Sequence, residues 1–207
     1  MGIATVAMLL PAGAGSASLT CDGRQATIVG NDGDNRLAGT EKPDVIVAGD
    51  GNDKIRTEGG NDRICTGEGD DKVDGGDGSD RIFGEGGIDR DYGGPGNDTI
   101  SGGIGFDTLV GESGDDSIEP EKGHDIVDGG PGSDTVVYTH EPGGVIVDLA
   151  THSTRLAAGR DSLPSIENAI GSRFPDMLFG DSGANVLRGG GGRDQLVGRG
   201  GKDRLIQ

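Results

Sequence analysis

The 207-residue chain has no tryptophan, two tyrosines and four phenylalanines, so aromatic residues make up only 3% of it. Leu, Ile, Val and Phe together fill 44 positions, close to the ~20% below which highly charged chains stay disordered. A conventional enzyme domain of this length, with a large core of bulky side chains, is therefore excluded. Positive charge is scarce as well: 18 Lys and Arg stand against 36 Asp and Glu, for a net charge of −18. Nucleic acid and anionic membrane surfaces are poor partners for such a chain, and a cation is a good one. Beyond the N-terminal stretch no long apolar or amphipathic helix occurs, which argues against membrane insertion. Glutamate is the most informative shortage. There are nine Glu to 27 Asp, although solubility alone would accept either.

The stretch IATVAMLL (residues 3–10) is apolar, and the small residues PAGAGSA (11–17) follow it. This predicts the later part of a secretory signal peptide over residues 1–20, too short to span a bilayer as a helix. It lacks a basic first region, so the start lies upstream or has been trimmed. Ser18-Leu19-Thr20-Cys21 loosely resembles a lipoprotein signal, but the Thr beside the Cys counts against that. Two cysteines, Cys21 and Cys65, fit either one disulfide in an oxidising compartment or two free thiols.

What is present in quantity is a period of nine. From Gly30 to Val137 the chain divides without insertion into twelve units, among them AGDGNDKIR, GGDGSDRIF and GGPGNDTIS. After an interruption over 138–170, four more follow from Gly171 to Ile206. Across the sixteen units the fourth position is Gly in fourteen and the sixth is Asp in fourteen, with Asn35 and Asn185 in the others; the eighth is Leu, Ile or Val in fifteen, with Asp91 the exception. CDGRQATIV (21–29) reads as a degenerate lead-in unit.

Glycine at alternate turn positions permits positive φ. The last three residues, with an aliphatic one in the centre, predict a short strand that points one side chain inward and two outward. A three-residue strand is not stable alone, so the units must stack into a solenoid with a thin aliphatic core. Stacked strands lie ~4.8 Å apart, and two carboxylates at that spacing repel by about 0.9 kcal/mol in water and about 3.5 kcal/mol at an effective dielectric of 20. Calcium takes six to eight oxygens at about 2.3–2.6 Å, so one ion between two carboxylates spans roughly the same distance. Turn carbonyls can complete its shell. Magnesium holds its waters too firmly, and zinc prefers the His and Cys that are nearly absent here. The alternative is that the aspartates are ordinary turn formers in a polar solenoid; phase fidelity over sixteen units favours the ion.

Residues 75–83, 93–101, 102–110 and 129–137 fit G-G-x-G-x-D-x-U-x at every constrained position. The chain from about residue 21 onward thereby resembles the hemolysin-type calcium-binding (RTX) repeat family. The resemblance implies an all-β fold, a parallel β-roll (right-handed β-solenoid) in which two nonapeptides make one coil and each calcium ion lies between a turn and the turn two units later. The implied domains are a lead-in and main roll over 21–137, a β spacer over 138–170 and a second short array over 171–207. Up to ten calcium gaps follow in the first array and up to two in the second. The metal ligands so indicated are Asp44, Asp53, Asp62, Asp71, Asp80, Asp89, Asp98, Asp107, Asp116, Asp125, Asp134, Asp176, Asp194 and Asp203.

Departures from the repeat carry expectations of their own. Sites using Asn35 or Asn185 should be weaker. The turns ending in Pro43-Asp44 and Pro175-Asp176 lack the fourth Gly and predict incomplete ligation. Asp91 predicts a local break or an extra ligand. Strict phase puts Cys21 and Cys65 five half-coils apart on opposite sides of the roll, so a bridge requires the lead-in to leave the roll and fold back. In the spacer, residues 144–150 and 165–170 read as strands joined by a polar connection over 151–164, with His140 and His152 as solvated loop residues. With no capping segment after Gln207, the last coil is left to fray or to pair with another chain.

Gly180-Asp-Ser-Gly-Ala184 resembles the surroundings of a serine protease nucleophile, but Ser182 falls at the variable third position of an in-phase unit. HExxH and GxSxG are absent. The reading is a secreted, extracellular, non-catalytic calcium-binding protein folded by the ion. The alternatives are an adhesin or matrix module that binds glycan or protein through the basic seventh positions Arg36, Lys54, Arg63, Lys72, Arg81 and Arg90, and, remotely, a hydrolase using Ser182.

Overall fold

The computed structural model describes residues 19–156 and 159–207; the stretch read as a signal peptide lies almost wholly outside them. Each nonapeptide contributes a short strand, three residues long in most units and six or seven in the four from Arg90 to Gly123. Within the arrays each strand pairs in parallel with the one 18 residues away: Val45–Val47 with Arg63–Cys65, that strand with Arg81–Phe83, and Arg81–Phe83 with Thr99–Gly105. Alternate units therefore build opposite walls. One wall is an 11-stranded sheet that runs from Ile28–Val29 to Arg204–Ile206. The other is divided between a 6-stranded sheet from Arg36–Ala38 to Ile126–Asp128 and a 4-stranded sheet containing Ile146–Asp148 and Gln195–Val197. This is a β-roll.

The core is built on the eighth positions of the repeats, joined in the spacer by Tyr138, Val147, Leu149 and Leu163, and it runs out at the last unit, where Leu205 is exposed. Ile46, Ile64, Ile82, Ile100, Ile118 and Val136 on the first wall and Val73, Leu109 and Val127 on the second have no exposure at all. Each such burial contributes roughly 1.5–3 kcal/mol. The turns stack as tightly as the strands: Gly78 has φ +145°, and a methyl carbon there would strike the carbonyl oxygen of Gly60 on the preceding coil, so no other residue fits. Asp91 causes no break. Its strand, Arg90–Pro95, stays paired on both sides, with Asp91 in register between Val73 and Leu109.

The spacer continues the roll as one enlarged coil. Thr135 pairs with Asn168, 33 residues on where the repeat would give 18, and the first wall continues through. Of the two expected strands, the first narrows to Ile146–Asp148 followed by a 3-10 turn at Leu149–Thr151, and the second to Asn168–Ile170. The expected connection over 151–164 contains a further strand, Ser153–Arg155, antiparallel to Ile146–Asp148. Its polar sequence offers no alternation to read. Thr154 is nevertheless buried, its hydroxyl accepting a hydrogen bond from the Asp161 N–H at 2.8 Å.

The lead-in leaves the roll as a two-stranded hairpin, Thr20–Cys21 against Arg24–Gln25, and lies on the outer face of the first wall. There Cys21 forms a disulfide with Cys65, with Cα atoms 5.7 Å apart. The Asp22 carboxylate receives Arg63 Nε at 3.3 Å and Arg81 Nη1 at 3.1 Å. The six basic seventh positions thus do not form one row. Arg36, Lys54, Lys72 and Arg90 stack on the second wall, while Arg63 and Arg81 neighbour each other on the first, under the hairpin.

Because a solenoid is held by nearest-neighbour contacts, Cys65→Ser should loosen the hairpin and leave the distant coils intact. Hydrogen exchange in calcium should show faster amide exchange over 19–27 with unchanged protection over 99–137.

Candidate metal centre

The sixth-position aspartates form two columns along the roll edges, joined by a repeated hydrogen bond. The backbone N–H of Asp62 donates to Oδ1 of Asp80 at 2.8 Å, Asp80 to Asp98 at 2.8 Å, Asp98 to Asp116 at 2.8 Å and Asp116 to Asp134 at 2.9 Å. On the other edge Asp53, Asp71, Asp89, Asp107 and Asp125 are linked in the same way at 2.7–2.9 Å. Each carboxylate spends one oxygen on the coil before it.

The second oxygen has no protein partner. Oδ2 is buried and unpaired in Asp53, Asp62, Asp71, Asp80, Asp89, Asp98, Asp107, Asp116, Asp125 and Asp134. Each carries the cost of an unmet buried polar group. The surroundings show what it faces: a methyl carbon on Gly75 would lie 2.9 Å from Asp80 Oδ2 and 2.5 Å from the carbonyl oxygen of Gly93, one coil on. The same pairing recurs at Gly102, with Asp107 Oδ2 at 3.0 Å and the Pro120 carbonyl at 2.9 Å. Among the described residues no three acidic, His or Cys side chains converge. A cation would be held by carboxylate and carbonyl oxygens from successive coils, a hard all-oxygen set that fits calcium.

Electrostatics agree. Burial, helped by neighbouring carboxylates and partly offset by the backbone N–H bond, pushes Asp80, Asp89, Asp98 and Asp125 up to about 7. Asp71 and Asp134 rise to about 6 for the same reasons. Without a cation the columns can be fully ionised at neutral pH only at a cost.

A family model described as the RTX calcium-binding nonapeptide repeat (4 copies) matches residues 29–64, 58–91, 92–127, 121–136 and 170–205. The chain belongs to the RTX family. No curated protein matches it. The RTX turns bring together ten of the fourteen predicted ligands as equivalent half-sites. The other four differ. Asp44 is saturated by Thr27 Oγ1 at 3.1 Å, Thr40 N–H at 2.8 Å and Thr40 Oγ1 at 2.9 Å. Asp176 is saturated by Val145 N–H at 2.7 Å, Ser172 N–H at 2.6 Å and Ser172 Oγ at 2.9 Å. In both, a hydroxyl residue at the second position of the turn does what a cation would do elsewhere. Asp194 and Asp203 accept from Asp176 N–H and Asn185 N–H at 3.0 and 3.1 Å in the half-buried last coils. Asn35 and Asn185 use their amide NH2 groups as donors, to the Asn31 carbonyl at 2.8 Å and the Glu167 carbonyl at 2.7 Å.

Two members of the columns escape sequence reasoning. Asp161 Oδ1 accepts the Asp125 N–H at 3.1 Å, and Glu167 Oε2 accepts the Asp134 N–H at 2.9 Å, so the spacer supplies the acceptors that the interrupted repeat lacks. Asp161 Oδ2 is closed off by the buried Tyr138 hydroxyl at 2.9 Å. No period marks Glu167. Asp161, by contrast, stands four periods of nine after Asp125, with Gly159 and Leu163 at the fourth and eighth positions around it, a single in-phase unit inside the spacer. A second ladder is also invisible to the reading above: fifth-position N–H groups donate back to fifth-position side chains, as Asp115 to Asn97 Oδ1 and Ser133 to Asp115 Oδ1, both at 3.0 Å. The enrichment of Asn, Asp and Ser at that position is its signal.

Raised carboxyl values mean that the cation-free roll takes up protons on folding. Their contribution to its stability is therefore full below about pH 4 and is lost as pH rises through about 6–7. Calcium competes with those protons, so its apparent affinity should fall as pH drops from about 8 to about 5.5, with protons released on binding. Calorimetric calcium titrations at the two pH values check this; equal affinities would contradict it.

Proposed function

We propose that this RTX protein is exported and folds on meeting calcium outside the cell, serving as a calcium-dependent β-roll without catalysis of its own. The observation that carries the reading is the set of ten buried, unpaired Oδ2 atoms in register. Binding free energy then becomes folding free energy. The Cys21–Cys65 bridge supports an oxidising compartment, as does the apolar N-terminal stretch in the sequence. Ser182 lines a shallow cleft with His152 and Asp181, but Asp181 Oδ1 is engaged by the Gly183 N–H at 2.7 Å, the bond of a local turn and not of a base-orienting acid.

Far-UV circular dichroism should show a disordered chain in excess chelator and a β spectrum in millimolar calcium. A folded spectrum in chelator would overturn the proposal. Asp98→Asn keeps the shape of a mid-column ligand and removes its charge. It should raise the calcium concentration needed for folding, by about tenfold for the ions it touches.

A second reading rests on the stack of Arg36, Lys54, Lys72 and Arg90. Like charges directly opposite on neighbouring strands are destabilising, and here they recur on one face of a strongly acidic protein. The stack fits an acidic glycan on an adhesin-like surface. Its rival is simple compensation of the Asp columns. In calcium, Lys54→Glu with Lys72→Glu should abolish binding on an acidic glycan array while leaving the β spectrum intact; no binding by the unaltered chain removes this reading.

A further inference from the structure

Asp91 stands where fifteen of the sixteen repeats place an aliphatic residue. It has no exposure, and neither of its carboxylate oxygens has a hydrogen-bond partner. Its cross-strand neighbours on the inner face are Val73 and Leu109, which can offer it nothing polar. An ionised carboxylate in that position costs several kcal/mol unless something compensates it, and the charged groups around it are Asp89, Asp107 and Asp71, all of the same sign.

The side chain does have a direction. A methyl carbon on Gly84 would lie 3.1 Å from Asp91 Oδ2, 2.8 Å from Asp89 Oδ2 and 2.5 Å from the Gly102 carbonyl oxygen. The equivalent point at Gly102 has Asp107 Oδ2, the Pro120 carbonyl and, at 3.1 Å, Cδ1 of Leu109. Asp91 thus puts an oxygen where the next coil puts a methyl group, and that oxygen joins the carboxylate and carbonyl that make an ordinary half-site.

We propose that Asp91 is a calcium ligand outside the repeat pattern: with Asp89 and the Gly102 carbonyl it forms a two-carboxylate site at the turn over 84–89, the tightest in the array. The inference rests on the calcium reading of the columns. A second carboxylate raises the charge of the ligand set, the property by which oxygen sites tune calcium affinity, and it does so on a rigid strand. The cation in turn compensates a charge that the aliphatic core cannot.

The test is calcium titration calorimetry of the full chain and of Asp91→Asn and Asp91→Leu, with the calcium midpoint of folding read in parallel by circular dichroism. The unaltered chain should show one ion in a tighter class than the rest. Both variants should lose that class, the first ion binding about tenfold more weakly. The folding midpoint should move to higher calcium even in Asp91→Leu, which restores the aliphatic column and guards against a variant that merely misfolds. A midpoint that moves to lower calcium in Asp91→Leu, with first-ion affinity unchanged, overturns the inference alone and makes Asp91 a buried acid and nothing more. Absence of calcium binding by the unaltered chain overturns both this inference and the reading of the columns.

Discussion

The structure depends on one hydrogen bond, from the backbone N–H of a sixth-position aspartate to the carboxylate of the aspartate 18 residues later. It locks the coil register, because any slip would separate the donor from its acceptor along the whole edge. It also brings carboxylates to strand spacing, where they repel, and occupies only one oxygen of each. The same bond therefore builds the fold and creates the need for a cation. The glycines follow from it, since turns stacked this closely leave no room for a side chain between a carboxylate and the carbonyl of the next coil.

The irregular parts of the chain show the same interaction handled in other ways. Where an array opens, Thr40 and Ser172 wrap Asp44 and Asp176 in local hydrogen bonds, so the first carboxylate is satisfied without an ion. Asn35 turns its amide donors on its own turn and on the Asp53 carboxylate of the next coil. Where the repeat is interrupted, the spacer delivers Asp161 and Glu167 to receive the last two N–H donors of the first array. The spacer is thus a coil with its chain lengthened and its column bond preserved, which is why the first wall passes through it unbroken.

Much of this is legible in the sequence because a strict period converts position into geometry. The solenoid, its buried eighth residues and its ladder of aspartate follow from spacing, since Ile64, Ile82 and Ile100 recur in phase and so do Asp62, Asp80 and Asp98; the two-unit coil of a parallel roll is what the resemblance to the RTX repeat implies. Where the period ends, so does legibility. Glu167 lies 33 residues from its donor, a distance that no repeat predicts, and Asp161, at 36 residues, keeps the phase of nine but stands alone within the spacer. Ser153–Arg155 is a strand without an apolar residue, held by its neighbours. The basic seventh positions look continuous in sequence but alternate between walls, because half a coil separates consecutive units.

The thin core sets how much of this fold a bound cation would have to carry. Each coil buries two aliphatic side chains worth roughly 1.5–3 kcal/mol apiece. It also brings two carboxylates against their neighbours, at about 3.5 kcal/mol per contact in a medium of dielectric 20. The two terms are of one size and opposite sign before any chain entropy is counted. A fold balanced in this way cannot be stabilised by lengthening the array, since each added coil adds both terms. It can be stabilised by protonating the carboxylates, which removes that term, or by an ion between coils, which would reverse its sign.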